Sequence, residues 1–300
     1  VDVKRVINWV YHLQVLPSDK DAGKNGFFYG FQGSSVHISR DTGGVNFKNG
    51  GHLASTYCAL SILRTMGDDF TGVDQKCILK SMKILQQFDG SFTSIHTGAE
   101  TDLRFVFCAA AICFMLNDWS GMDVDKTLGY IVNCQSYDGG FGLSPGLESH
   151  GGATYCAIAT LKLMGYITDD PVSKRPTSSA VDLQSVVEWS LQKQTSNGGF
   201  QGRSNKASDA CYSFWLGGTL KLLGAHNFFD WGALRSFLFT CQSKYGGFSK
   251  WPREFPDLYH AYYGVCGFSL LEEPGLAPLC CELGITEKAA MHSPNTEVLC

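Results

Sequence analysis

The chain has 300 residues, 44% of them hydrophobic and 17% charged, a balance that excludes a disordered chain and gives enough apolar surface for one large core or two ordinary ones. Its formal net charge of −4, with no run of Lys or Arg, excludes a broad basic surface for nucleic acid or an acidic membrane, so an anionic ligand has to be met by local cations. The 12 cysteines are scattered through apolar segments such as 107–113, not spaced as a secreted disulfide framework, which predicts a reducing, cytoplasmic setting.

Turns of one kind punctuate the chain. A degenerate copy stands at 25–27, after Leu13 and Gln14, and four clear ones run from Gln to Phe over 86–92, 135–141, 194–200 and 242–248. Three of these end in Gly-Gly-Phe and the first in Gly-Ser-Phe; their Phe residues lie 49, 59 and 48 positions apart. The long interval contains a polar, Pro-bearing stretch at 169–179 that predicts a surface loop. After the turns come His52, Asp102, His150, Asp209 and Asp257, each opening a run of ten or more mostly apolar residues. Several runs stop at a glycine, Gly67, Gly165 or Gly224, as helices do. Alternate segments such as 181–194 mix charge with apolar residues at helical spacing and predict half-exposed helices. The longest apolar run, 105–116, is too short for the roughly 20 residues of a membrane span, no signal-peptide pattern opens the chain, and the absence of an initiator Met leads us to expect residues upstream.

A unit of two helices and one turn cannot bury its own apolar face, so neighbouring units must stack. Five or six units of about fifty residues predict an all-α fold, a closed α/α toroid in preference to an open solenoid, occupying 1–273 as one domain with 274–300 as a C-terminal tail. Closure would gather the starts of the inner helices at one mouth, with Phe107, Tyr155, Phe214 and Trp215 within a turn or so of it, where they either line an apolar cavity or pack in the core.

Chemistry concentrates in 201–215 and at His260, a little under fifty residues on. Asp209, Cys211 and His260 offer an acid, a thiol and an imidazole, a workable zinc set. Two residues apart, Asp209 and Cys211 point to opposite sides of a regular helix and converge only at a helix mouth, where Ser208 and Asp209 are good N-cap residues before the apolar run from Tyr212. Each also has a plain reading: Asp209 as a cap, Cys211 as a small buried hydrophobe, His260 as a hydrogen-bonded helix-start residue. Arg203 and Lys206 stand just upstream, where an anion could meet them at the positive helix end.

Over residues 6–273 the chain resembles the β subunits of the protein prenyltransferases, and the type I geranylgeranyl branch more than the farnesyl or Rab branches. The motifs that carry the resemblance are at 148–152, 202–206, 209–215, 249–252 and 257–260. It implies an α/α toroid, one zinc ion, a geranylgeranyl diphosphate substrate, a helical α subunit as partner in a heterodimer, and transfer to the cysteine of a CaaX sequence ending usually in Leu on proteins such as small GTPases. By resemblance Asp209, Cys211 and His260 are the zinc ligands, and His150, Arg203, Lys206 and Tyr212 hold the diphosphate. It also places Arg104 near peptide and lipid and Trp215 among the lipid-lining aromatics. Lys250 stands where the farnesyl enzyme has an aspartate that helps bind magnesium; its ammonium would replace that ion, so magnesium is not expected as a cofactor.

Two departures stand out. An early helix that in the family helps set lipid length is not among these residues, and Tyr259 matches a tyrosine of the farnesyl enzyme, which makes a farnesyltransferase β subunit the alternative. A non-catalytic helical-repeat binding protein is the remote one. A terpene cyclase is disfavoured because neither Asp68 and Asp69 nor Asp169 and Asp170 are followed by an acid three residues on.

Overall fold

The computed structural model describes residues 1–17, 29–34, 50–98, 100–168 and 180–291. The expected turn at 25–27, the loop at 169–179 and the stretch 292–300 lie outside the described residues. Two compact units, 1–130 with 288–300 and 131–287, make up the chain.

The first unit contains α1 (Val3–His12), α2 (Leu53–Thr65), α3 (Gln75–Leu85), α4 (Leu103–Met115) and the start of α5 (Val124–Cys134). α4 is apolar on every side and buried over most of its length, with α2 packed along it and α1 against α2. α3 buries the stripe Ile78, Leu79, Met82 and Leu85 together with Ser81, the spacing of one helical face, and leaves its lysines in solvent.

The second unit holds α6 (Gly151–Leu163), α7 (Leu183–Leu191), α8 (Tyr212–Leu222), α9 (Trp231–Cys241), α10 (Leu258–Leu270) and a two-stranded hairpin, β1 (Leu279–Cys280) with β2 (Ile285–Thr286). α8 is its centre, packed against α6, α7 and α10. Leu216 and Leu220 from α8 join Phe200, Phe237, Leu238 and Phe248 in one core, each fully buried aliphatic or aromatic side chain contributing about 1.5–3 kcal/mol. A Cβ at Gly267 would lie 2.3 Å from the Ser213 hydroxyl, so only glycine lets α10 come this close to α8. The segment expected as a helix over 181–194 is shorter, because Asp182 caps it by accepting the Ser185 N–H and the chain leaves at Gln192 to form the next turn. The first part of the expected tail is folded onto this unit: the Tyr155 hydroxyl in α6 donates to the Cys281 carbonyl at 2.6 Å.

The repeat has a physical basis within each unit. The turn glutamine clasps the cap of the next half-exposed helix with both ends of its amide. Gln86 donates to the Asp123 carbonyl at 3.0 Å and accepts the Asp123 N–H at 2.7 Å; Gln135 does the same with Asp182 (3.0 and 3.1 Å) and Gln194 with Asp230 (2.8 and 2.8 Å). At the first turn glycine, φ is positive and a Cβ would meet that helix's backbone: 2.1 Å from the Lys126 carbonyl at Gly90, 2.2 Å from the Ala233 carbonyl at Gly198. The closing Phe92, Phe141 and Phe200 are 0% exposed. Gly67, Gly165 and Gly224 end their helices with positive φ, as expected, and Asn117 and Glu272 take that conformation after α4 and α10, where glycine is missing.

Candidate metal and anion site

The start of α8 differs from the expected helix mouth. The helix begins at Tyr212, with Cys211 in the cap position making no side-chain cap bond, and a tight turn precedes it, closed by Tyr212 N–H to the Asp209 carbonyl and Ser213 N–H to the Ala210 carbonyl. Asp209 stands a turn ahead and still caps, its Oδ1 accepting the Cys211 N–H at 2.9 Å. That extra turn abolishes the opposed geometry of a regular helix and puts Asp209 and Cys211 on the same side. The segment is held from behind by Asn197 of the preceding turn, which accepts a 2.9 Å bond from Ser208, and by Asp209 N–H to the Phe200 carbonyl.

His260 enters from the first turn of α10. Its backbone N–H and its Nδ1 both face the cap residue Asp257, at 2.8 and 2.6 Å, and its Nε2 lies 3.3 Å from Asp209 Oδ1. An Nδ1 proton given to Asp257 leaves the Nε2 lone pair turned to Asp209 and Cys211. One ligand atom from each of Asp209, Cys211 and His260 lies within 4.8 Å of the others, with Asp209 and Cys211 buried. Zinc bonds of about 2.0–2.3 Å place tetrahedral donors about 3.3–3.8 Å apart, so the widest pair has to close by about 1 Å, and the Asp257–His260 pair supplies the outer carboxylate that zinc-bound histidines usually have. The set therefore fits zinc. Burial first, then the charge of Asp209, raises the Cys211 thiol far above the usual range, so its proton is released only when a cation takes its place. Lys250 is tied to the same segment through Ala210 N–H to its carbonyl at 2.9 Å, and its ammonium stands 3.8 Å from Asp209 Oδ2.

A second group begins one residue on. The Tyr212 hydroxyl is 3.0 Å from His150 Nε2, and His150 Nδ1 accepts the Gly152 N–H at 3.0 Å. A ring that accepts at Nδ1 carries its proton on Nε2 and donates it to the tyrosine oxygen, which leaves the Tyr212 O–H to donate elsewhere. Burial, followed by the nearby Cys211 and Asp209, raises the pKa of that hydroxyl, which keeps it a donor, and Arg203 is near enough to pull the other way. A Cβ at Gly202 would fall 1.9 Å from the Tyr212 ring, so this glycine makes the seat for the tyrosine. Arg203 reaches Glu148 at 3.4 Å, and Lys206 is exposed on the same turn, its N–H closing on the Arg203 carbonyl.

Trp215 is half-buried, its Nε1 donating to the Tyr259 hydroxyl at 3.3 Å and its ring 4.6 Å from Tyr263 and 4.9 Å from Tyr155. Phe214 is buried beside them. Phe107 and Arg104 belong to the first unit: Phe107 packs edge-on against Tyr57 at 5.3 Å, and Arg104 is gripped by Asp102 at 2.6 Å and Glu100 at 2.9 Å. Asp257, Asn197 and Glu148 were not among the residues expected in the site. Asp257 was findable, being a cap residue three before a candidate ligand; Asn197 acts from the turn just before, on Ser208, and Glu148 reaches Arg203 across 55 residues of sequence. Among the described residues no helix is long and apolar enough to cross a membrane.

The prenyltransferase alpha-alpha toroid domain matches residues 1–285. A geranylgeranyl transferase type-1 subunit beta from Arabidopsis thaliana is 58% identical over 291 residues, covering 97% of this chain and 78% of its own length. Its counterpart from Dictyostelium discoideum is 36% identical over 299 residues, with 95% and 81% covered. Among solved structures, Candida albicans protein geranylgeranyltransferase-I complexed with GGPP superposes with a TM-score of 0.78 over 97% of this chain and 84% of that one; at 23% identity this is a likeness of fold. The helix-pair repeat and its Gln-Gly-Phe turns are thus those of an α/α toroid, and the chain belongs to the prenyltransferase α/α toroid family, in its type-1 geranylgeranyl β-subunit branch.

Proposed function

We propose that this chain is the catalytic β subunit of a zinc-dependent protein geranylgeranyltransferase of type 1. It transfers geranylgeranyl from geranylgeranyl diphosphate to the cysteine of a C-terminal CaaX sequence, X usually Leu, on proteins such as small GTPases, and works as a heterodimer with an α subunit. The observation that carries the chemistry is the convergence of Asp209, Cys211 and His260 within 4.8 Å, next to the Tyr212 hydroxyl. A carboxylate, a thiolate and a neutral imidazole would hold zinc in a formally neutral site with one position left for the substrate cysteine. Zinc there supplies a substrate thiol that is deprotonated and nucleophilic at neutral pH.

In the transfer a carbon–sulfur bond forms at the first carbon of the prenyl chain as its carbon–oxygen bond to the diphosphate breaks. Negative charge collects on the departing diphosphate. His150 holds Tyr212 so that its O–H can donate to that oxygen, while Arg203, Lys206 and Lys250 supply positive charge. Lys250 takes the part of a magnesium ion, and the reaction proceeds without one. Trp215 and the aromatics beside it offer an apolar wall to a hydrocarbon whose burial is worth about 0.8 kcal/mol per CH₂. Arg104 is assigned to peptide and lipid on the family resemblance alone. A cytoplasmic location fits Cys211, Cys241, Cys266 and Cys281, which are buried and form no disulfide.

The test is to combine the chain with a matching α subunit, measure bound zinc, and compare both prenyl diphosphates on peptides ending in Leu or Met. One zinc and a preference for geranylgeranyl and Leu are expected. Full turnover without zinc would refute the metal role, full activity of the chain alone would refute the heterodimer, and a farnesyl preference would move the assignment to the other branch.

A further inference from the structure

Behind the anion group lies a charged residue for which the reaction has no use. Lys193, two residues past α7, is only 4% exposed. A buried ammonium is costly unless it is paired, and an apolar side chain of similar length would fill the same space without that cost. Its partners are specific. The Lys193 ammonium donates to the Ser204 hydroxyl at 3.0 Å and stands 4.6 Å from the centre of the Trp189 ring. Trp189 in turn donates through its indole N–H to Asp138 Oδ2 at 3.0 Å, and Asp138 Oδ1 is 2.5 Å from the Ser149 hydroxyl.

The two serines at the ends of this path are the immediate neighbours of Arg203 and His150. In front, the same two segments meet directly, through Gly151 N–H to the Gly202 carbonyl at 2.8 Å and the Arg203–Glu148 pair. There is little room for slack behind them: a Cβ at Gly140 would lie 2.6 Å from Trp189 and 2.7 Å from Ser149. Burial favours loss of the Lys193 proton, and the charge of Asp138 opposes it.

We infer that Lys193 is a positioning residue for the anion pocket: through Ser204 it sets the turn that carries Arg203 and Lys206, and through Trp189 and Asp138 it fixes that turn relative to His150. This rests on the reading of His150, Arg203 and Tyr212 as a diphosphate site. Lys193 itself touches no substrate.

The test uses the assembled enzyme and inorganic pyrophosphate as probe, with affinity read by calorimetry and bound zinc measured alongside. Lys193→Met should weaken pyrophosphate by about tenfold, the scale of one charge-assisted hydrogen bond, with zinc unchanged. Lys193→Arg, which keeps a cation and a donor, should recover most of the loss. If Lys193 acts through the 203–206 turn, Lys193→Met combined with Arg203→Gln should weaken pyrophosphate by clearly less than the product of the two single losses, the remainder acting through Lys206. Additive losses, or a Lys193→Met enzyme with a lower Tm but unchanged pyrophosphate affinity, would overturn the positioning role. Should Lys193→Met fail to fold, Ser204→Ala removes only the exposed acceptor and must weaken pyrophosphate in the same direction. Unchanged affinity in Arg203→Gln by itself would strike the anion site first, and the role of Lys193 with it.

Discussion

The starts of α4 and α8 begin alike and end differently. At each, an aspartate accepts the backbone N–H two residues on, Asp102 from Arg104 and Asp209 from Cys211, both at 2.9 Å. At α4 the residue two positions on is an arginine, whose guanidinium folds back and occupies both oxygens of the same carboxylate. At α8 it is a cysteine, which cannot do so; Asp209 keeps its charge facing His260 at 3.3 Å and Lys250 at 3.8 Å. Capping and metal binding are therefore not rival roles for Asp209. The cap uses one lone pair of one oxygen, and what the neighbouring side chain leaves unsatisfied decides whether the carboxylate is closed in on itself or open to an ion.

The sharpest way to break this comparison is to keep the cap and remove the charge. Asp209→Asn retains an acceptor for the Cys211 N–H, so folding should change little, while bound zinc and transfer should both be lost, the rate by about a thousandfold or more. Cys211→Ala should do the same from the other side of the set. A metal-free variant of either kind that turns over normally would end the metal assignment. Next in size is the cation beside Asp209. Lys250→Asp should cost about a hundredfold in rate at low magnesium, the scale of one lost stabilising group, and regain rate as magnesium is added. Rate against free magnesium at fixed zinc reads this directly, and strong activation of the unaltered enzyme by millimolar magnesium would remove the role given to Lys250.

A smaller effect belongs to the residue behind His260. Asp257→Asn keeps an acceptor for the His260 N–H but weakens its hold on Nδ1, and zinc affinity measured by competition with a chelator should fall by about ten- to a hundredfold. An unchanged affinity would mean that α10 alone aims the ring. The smallest effect is expected at α4, where Asp102→Asn keeps the cap and leaves the half-exposed Arg104 paired with Glu100. Chemical denaturation should show a loss of less than about 1 kcal/mol, with zinc untouched; a loss of zinc there would contradict the different roles given to the two capping aspartates.

Much of the fold and of the site is legible in the amino-acid sequence because it is written in local pattern. The Gln-to-Phe turns, the polar residues that open α2, α4, α6 and α10 and the glycines that close α2, α6 and α8 depend on residues a few positions apart, and these stand where local pattern puts them. Asp209, Cys211 and His260 are candidates by chemical type, and the family resemblance gives them a common purpose. Composition alone starts α8 too early, because Ser208 and Asp209 are strong cap residues. An additional tight turn, held by Phe200 and Asn197, puts the helix two residues later than propensity would. Composition also carries α7 too far for a similar reason: Gln194 has ordinary helix propensity, and its side chain is instead drawn away to Asp230.

By itself the sequence determined the repeat, the all-α class, the apolar helices and which residue types were at hand for a metal and an anion, since these follow from backbone preference and from the need to bury one face of each helix. Only the tertiary structure decided which of those residues meet. That His260 Nε2 faces Asp209, that His150 turns the Tyr212 proton outward, and that Lys193 reaches Ser204 are matters of a few ångströms between turns. They are set by the close packing of α6, α8 and α10 around glycines, and no spacing along the chain encodes a distance across it.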